Sequence, residues 1–206
     1  MTAQTLVKTA FTHFATLAAL AGAFVYLIGW SYASNYFRYF GLSAIELNIS
    51  VDFYIIYGLH SLINYWPAIV FCIFLYSAPL FFLWKKNKDI LFVASLFLFS
   101  TSYIGAYVLG ANAANNDLYK QKKESFGAFP NIRIWLKKDT SESIPESISS
   151  NLKDAKYRLL FKNSEHIYLI NTENLGSIPV TIIPVSAVEL SRIIPRNPAY
   201  RNIYKL

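Results

Sequence analysis

The sequence predicts an α+β membrane protein: three transmembrane helices, the first one long and the second preceded by an interfacial or re-entrant helix, then a small β-rich extramembrane domain. Three observations carry that expectation. Phe14 to Trp30, Leu62 to Trp84 and Ile90 to Ala111 contain no charged residue, and each is close to the ~20 apolar residues with which a helix crosses ~30 Å of hydrocarbon. Of the 206 residues, 54% are hydrophobic, 17% aromatic and 15% charged, whereas a soluble domain carries roughly 25% charged residues. After Asn112 the composition turns polar and basic, with repeated β-branched runs. The expected organisation is a helical domain over 1–115, with spans near 10–31, 62–84 and 89–112 and interfacial helices near 43–47 and 53–65. A β-rich domain over 116–195 and a C-terminal tail over 196–206 complete it.

The first helix is read as retained rather than cleaved. Lys8 and the small residues from Ala18 to Ala23 resemble a signal peptide, but the apolar run continues to Trp30 in the manner of an anchor. No proline interrupts Thr9 to Phe40, and Gly41 supplies a stop just after Arg38, a cation suited to the last turn. Trp30, Tyr32, Tyr36, Phe37, Tyr39 and Phe40 form an aromatic girdle of the kind that settles at headgroup level.

Ser43-Ala-Ile-Glu46 matches a capping box and predicts a short helix. Asn48 or Ser50 then caps a helix starting near Asp52. A single helix from Phe53 to Trp84 would be roughly 48 Å long at 1.5 Å per residue, too long for one upright span. Pro67 and Pro79 offer places to kink. Before the first of them, Tyr57, His60, Ser61 and Asn64 share one helical face and form the candidate polar intramembrane stripe. A pore lining and a hydrogen-bonded seam are its functional readings. An interfacial helix with its wet side outward is the plainer one, since the stripe has no acid and no arginine.

Small residues recur every fourth position in two of the spans. Ala15, Ala19 and Ala23, with Gly22 beside them, mark a packing face on the first helix, and Ser102, Ala106, Gly110 and Ala114 mark one on the third. Small side chains let helix backbones approach closely. Contacts within one chain and contacts between copies stand as equal alternatives.

Lys85, Lys86 and Lys88 crowd the hairpin between the second and third spans, which places that hairpin, and with it the N-terminus, in the cytoplasm. Three crossings then put the C-terminal domain outside, although Lys120, Lys122 and Lys123 argue the reverse. A bacterial inner membrane is the expected location.

In the C-terminal domain, Ile132 to Leu136 alternates as a strand. Asp139 to Ser150 reads as a loop or short exposed helix. Tyr157 to Phe161 and His166 to Ile170 flank a hairpin turn, and Ile178 to Ile183 and Val188 to Ile194 complete a sheet of four or five strands. Pro179, Pro184 and Pro195 suit strand ends or edges.

No catalytic, cofactor or metal site emerges. The lone Cys72 forms no intramolecular disulfide, and His13, His60 and His166 lie apart in the chain without paired carboxylates. The basic residues are scattered among acids, with no arginine cluster or RNA-binding signature, which argues against nucleic acid. The expected partners are the lipid bilayer and either further copies of the chain or another membrane protein. Two function classes follow, neither enzymatic. One is an oligomeric pore-forming, membrane-perturbing or sensing subunit of stress or defence. The other is an accessory or anchoring subunit that binds a larger protein through its β-rich domain and carries no transport.

Overall fold

The computed structural model describes residues 3–84, 88–141, 144–171 and 179–194, with backbone alone at 3–13, 16–17, 68–84 and 88–99. It divides into two compact units at Asn116/Asp117.

The first unit is helical. Helix α1 spans Ala3–Arg38 and ends as its sequence requires. Gly41 adopts φ 72°, the Gly41 N–H donates to the Arg38 carbonyl at 2.9 Å and the Leu42 N–H to that of Phe37 at 3.1 Å, a left-handed glycine closing the last turn. The expected helix at 43–47 is only a turn, in which the Leu47 N–H donates to the Ser43 carbonyl and Asn48 takes positive φ. Helix α2 spans Val51–Trp84 and breaks at Tyr65, with φ −118° and ψ 16°. Pro67 explains the break, because it lacks an N–H and its ring crowds the preceding turn.

Helix α3 spans Lys88–Lys123 and so runs beyond the end near 112 expected for the third span. No proline or glycine falls between Ala111 and Lys123, and Lys120, Lys122 and Lys123 complement the negative end of the helix dipole. The helix stops where Ser125 and Phe126 turn to positive φ and the Phe126 N–H reaches back to the Gln121 carbonyl at 2.7 Å.

Close backbone approach holds the helices of this unit together. A methyl group placed on Gly29 would lie 1.6 Å from the Tyr54 carbonyl oxygen, and one on Gly58 would lie 2.1 Å from that of Val25. These two glycines let α1 and α2 touch backbone to backbone. Gly110 does the same between α3 and α1, where an added methyl would lie 2.3 Å from the Ile28 carbonyl oxygen. Beside it the buried Ser31 hydroxyl donates to the Tyr107 carbonyl at 2.6 Å.

The expectation of three membrane spans is overturned. Among the described residues no helix is long and apolar enough to cross a membrane. The C-terminal part of α1 carries Ser31, Ser34, Asn35 and Arg38. Tyr65 interrupts α2, leaving a first half that bears Asp52, His60, Ser61 and Asn64, and α3 runs on through Asn112, Asn115, Asn116 and Asp117. Most of the second apolar stretch and the first half of the third, including Cys72, fall at 68–84 and 88–99, where side chains lie outside the description. Lys85 and Lys86 of the hairpin lie outside the described residues altogether. The transmembrane assignment, the inner-membrane location and the sidedness of the termini rested on those spans and are withdrawn with them.

The second unit gives the chain its α+β character, with five antiparallel strands. Strand β1 spans Asn131–Leu136, followed by α4 (Lys138–Ser141) and α5 (Glu146–Lys153). Then come β2 (Tyr157–Lys162), β3 (His166–Asn171), β4 (Val180–Pro184), a single 3-10 turn over Val185–Ala187, and β5 (Val188–Ile194). The spatial order is β4-β3-β2-β1-β5. The β2–β3 hairpin turns on Asn163, whose side-chain oxygen accepts from the Glu165 N–H at 2.9 Å and the His166 N–H at 2.7 Å, an Asx turn. One face of the sheet joins Ile132, Ile134, Leu136, Tyr157, Ile167, Leu169 and Ile183 to Leu152 of α5 in the core. Alternation along β1 dictates which face that is. The expected tail lies outside the described residues.

Candidate functional site

The polar stripe closes on itself and on α1. The Ser61 hydroxyl is fully buried and donates to the Tyr57 carbonyl one turn back at 2.8 Å, a local bond that satisfies it without a partner helix. Asn64 and His60 pair through Nδ2 and Nε2 at 3.3 Å. Tyr57 stacks on Tyr32 with ring centroids 5.0 Å apart, and His60 meets the same ring edge-on at 6.2 Å. Burial pushes the Tyr57 phenol above its ordinary value, and the neighbouring Tyr54 phenol adds to the shift. The stripe is thus an aromatic and hydrogen-bonded cluster around Tyr32, extended by Tyr36, Ala113 and Ala114.

The candidate packing faces divide. Ala106, Gly110 and Ala114 are buried, whereas Ser102 is exposed. Ala15, Ala19, Gly22 and Ala23 are all exposed, and nothing lies within 4 Å of where a methyl on Gly22 would stand. The close approach on α1 falls further along, at Gly29 and Ser31.

Among the described residues no three metal-binding side chains converge. His166 and Glu165 stand 4.0 Å apart at the hairpin, with Glu165 largely exposed. His13 lies outside the described side chains.

The two edges of the sheet differ. Strand β4 has five residues, is preceded by Pro179 and ends in Pro184. Short length and proline are the usual ways in which an edge is kept from pairing with a further strand. Strand β5 has seven residues with no proline and no lysine among them, and its five central residues are all exposed. Leu190 is 58% exposed and Ile193 54%, so among the described residues both faces of the strand's central part are open, while Val188 at its start packs against the core. Among the described residues only β1 pairs with β5.

Register fixes what β5 presents. Ile193 and Ser191 lie opposite Ile132 and Ile134, on the core face, while Arg192 lies opposite Arg133 and Leu190 opposite Trp135 on the outer face. The pairing shifts at Trp135/Leu136, where Val188 meets Leu136 and Glu189 becomes the extra residue of a bulge. The regular part of the edge is therefore Leu190 to Ile194. One strand further in, Arg158 lies opposite Asn131 on the outer face and donates from Nη1 to the Phe126 carbonyl at 2.7 Å.

Sequence reasoning missed this site because strand order is not legible in a list of strands. The available signal was weak: Pro184 is the last residue of one strand, whereas the prolines around Val188 to Ile194, Pro184 and Pro195, lie outside it. No model of a protein family matches the chain, and neither a curated protein nor a solved structure does.

Proposed function

We propose that the protein is a non-enzymatic accessory subunit that binds a larger protein through its β-rich domain, with β5 as the docking edge. The observation that carries this is the contrast between the edges, one of five residues that begins after Pro179 and ends in Pro184, the other of seven residues with no proline within it and a regular stretch from Leu190 to Ile194 that is exposed over most of its length. The regular part of an edge strand presents a row of N–H and C=O groups to a chain that can pair with it, and strand addition is a recurring mode of recognition. The pore reading depended on the withdrawn spans.

The test is co-purification of the tagged full chain from its own cells, with wild type beside Leu190→Lys and Ile182→Lys. A lysine at Leu190 blunts β5, whereas one at Ile182 makes the same exposed change on β4. A partner retained by wild type and Ile182→Lys but lost from Leu190→Lys, with unfolding temperature unchanged, is the expected result. A partner retained by Leu190→Lys would refute the assignment to β5.

A further inference from the structure

On the outer face of the docking edge, Arg133 and Arg192 lie directly opposite each other. Directly opposed side chains of an antiparallel pair have Cβ atoms about 5 Å apart, and like charges so placed repel. Among the described residues no carboxylate pairs with either, and both side chains are exposed. Trp135 and Leu190 form the next pair along the same face.

We infer that the partner segment is a β-strand that adds to the free side of β5 and carries an acidic residue opposite Arg192, two residues from an apolar residue opposite Leu190. This rests on the reading of β5 as a docking edge and names the chemistry that the edge selects. Residues directly opposite in a sheet share a face, so the position across from Arg192 is within reach of both arginines. A carboxylate there turns their repulsion into a bridged pair, and arginine suits this role because its fork of donors matches a carboxylate. The residue between faces Ser191 on the core side, where either character is tolerated, and the one beyond faces Ile193, where an apolar side chain extends the core. A second copy of β5 continuing the sheet offers Leu190, Arg192 and Ile194 on that face, and its one acid, Glu189, sits at the bulge outside the regular register.

The experiment titrates the full chain, by fluorescence anisotropy, with a labelled peptide of sequence Thr-Thr-Val-Glu-Thr-Ile-Thr-Thr and with its twin bearing lysine in place of glutamate. Wild type is expected to prefer the glutamate peptide by about tenfold, and Arg192→Glu to reverse the preference. Equal binding of the two peptides by wild type, or an unchanged preference in Arg192→Glu, overturns the acidic partner while the Leu190→Lys co-purification still decides the edge. Binding of neither peptide overturns it also, as does concentration-dependent self-association abolished by Arg192→Glu. Binding of oligouridylate that Arg192→Glu removes would assign the arginines to RNA instead.

Discussion

Glycine occupies positions of opposite meaning in this chain. At Gly29 a methyl group would lie 1.6 Å from a backbone oxygen of the neighbouring helix, whereas at Gly22 it would meet nothing. Gly29→Ala is therefore expected to force α1 from α2 and cost about 2 kcal/mol or more, as overpacking does. Gly22→Ala is expected to be neutral or to stabilise by up to about 1 kcal/mol through helix propensity. Thermal unfolding followed by circular dichroism separates the two. The every-fourth-residue pattern that makes Gly22 and its alanines conspicuous in the sequence does not distinguish them from Gly29, since spacing identifies a face but not the neighbour that occupies it.

Tyr57 ties stability to pH. Its folded-state value lies above the ordinary tyrosine value of about 10 because burial disfavours the phenolate. A group raised on folding contributes stability that is fully present below its unfolded value and is lost as pH rises through the folded one. The chain is expected to hold its stability to about pH 10 and to lose it above. Tyr57→Phe is expected to reduce that alkaline loss, with denaturant midpoints measured from pH 8 to pH 11 as the check.

At the scale of elements, the β-rich unit was legible and the helical unit less so. Alternation in Ile132 to Leu136, the polar turn from Lys162 to Glu165 and the prolines around Val180 to Ile183 placed the strands within a residue or two of where they lie. Such signals are local, and the strands they mark are short enough for local rules to suffice. The edge position of β5 was not legible, because it arises when a strand late in the chain pairs with β1 rather than with its sequence neighbour β4. In the helical unit, composition alone does not decide the environment. The apolar runs did locate helices, but the break at Tyr65 and the continuation of α3 to Lys123 alter how much apolar length each provides. The polar stripe, read from spacing alone, left open whether its groups faced water or protein. The Tyr32 ring answers that for Tyr57, whereas His60, although edge-on to the same ring, and Asn64 are exposed.

An element-scale prediction follows for the α1–α3 contact. Ser31 is buried and its hydroxyl bonds to the Tyr107 carbonyl, so Ser31→Ala leaves that carbonyl with one bond fewer and is expected to cost about 1 kcal/mol. The same substitution at the exposed Ser102 is expected to change unfolding temperature little, which calibrates the comparison.

For the whole molecule, the two units present different surfaces. In the helical unit Val51, Ile56, Leu59, Ile63 and Trp66 on α2 and Tyr103 and Ile104 on α3 are exposed, an apolar display of the kind that marks an interaction surface. In the second unit the display is narrower and directional, a strand edge with two arginines and a leucine in fixed register. The docking claim belongs to this second surface and is independent of what covers the first. The most direct measurement of it is photo-cross-linking in cells, with a benzophenone side chain placed at Leu190 on β5 in one variant and at Ile182 on β4 in the other. Cross-linking of a single larger protein from position 190 and not from 182, with the cross-linked peptide bearing an acid two residues from an apolar side chain, is the predicted result. Equal cross-linking from both edges, or products formed only with further copies of the same chain, would contradict the account.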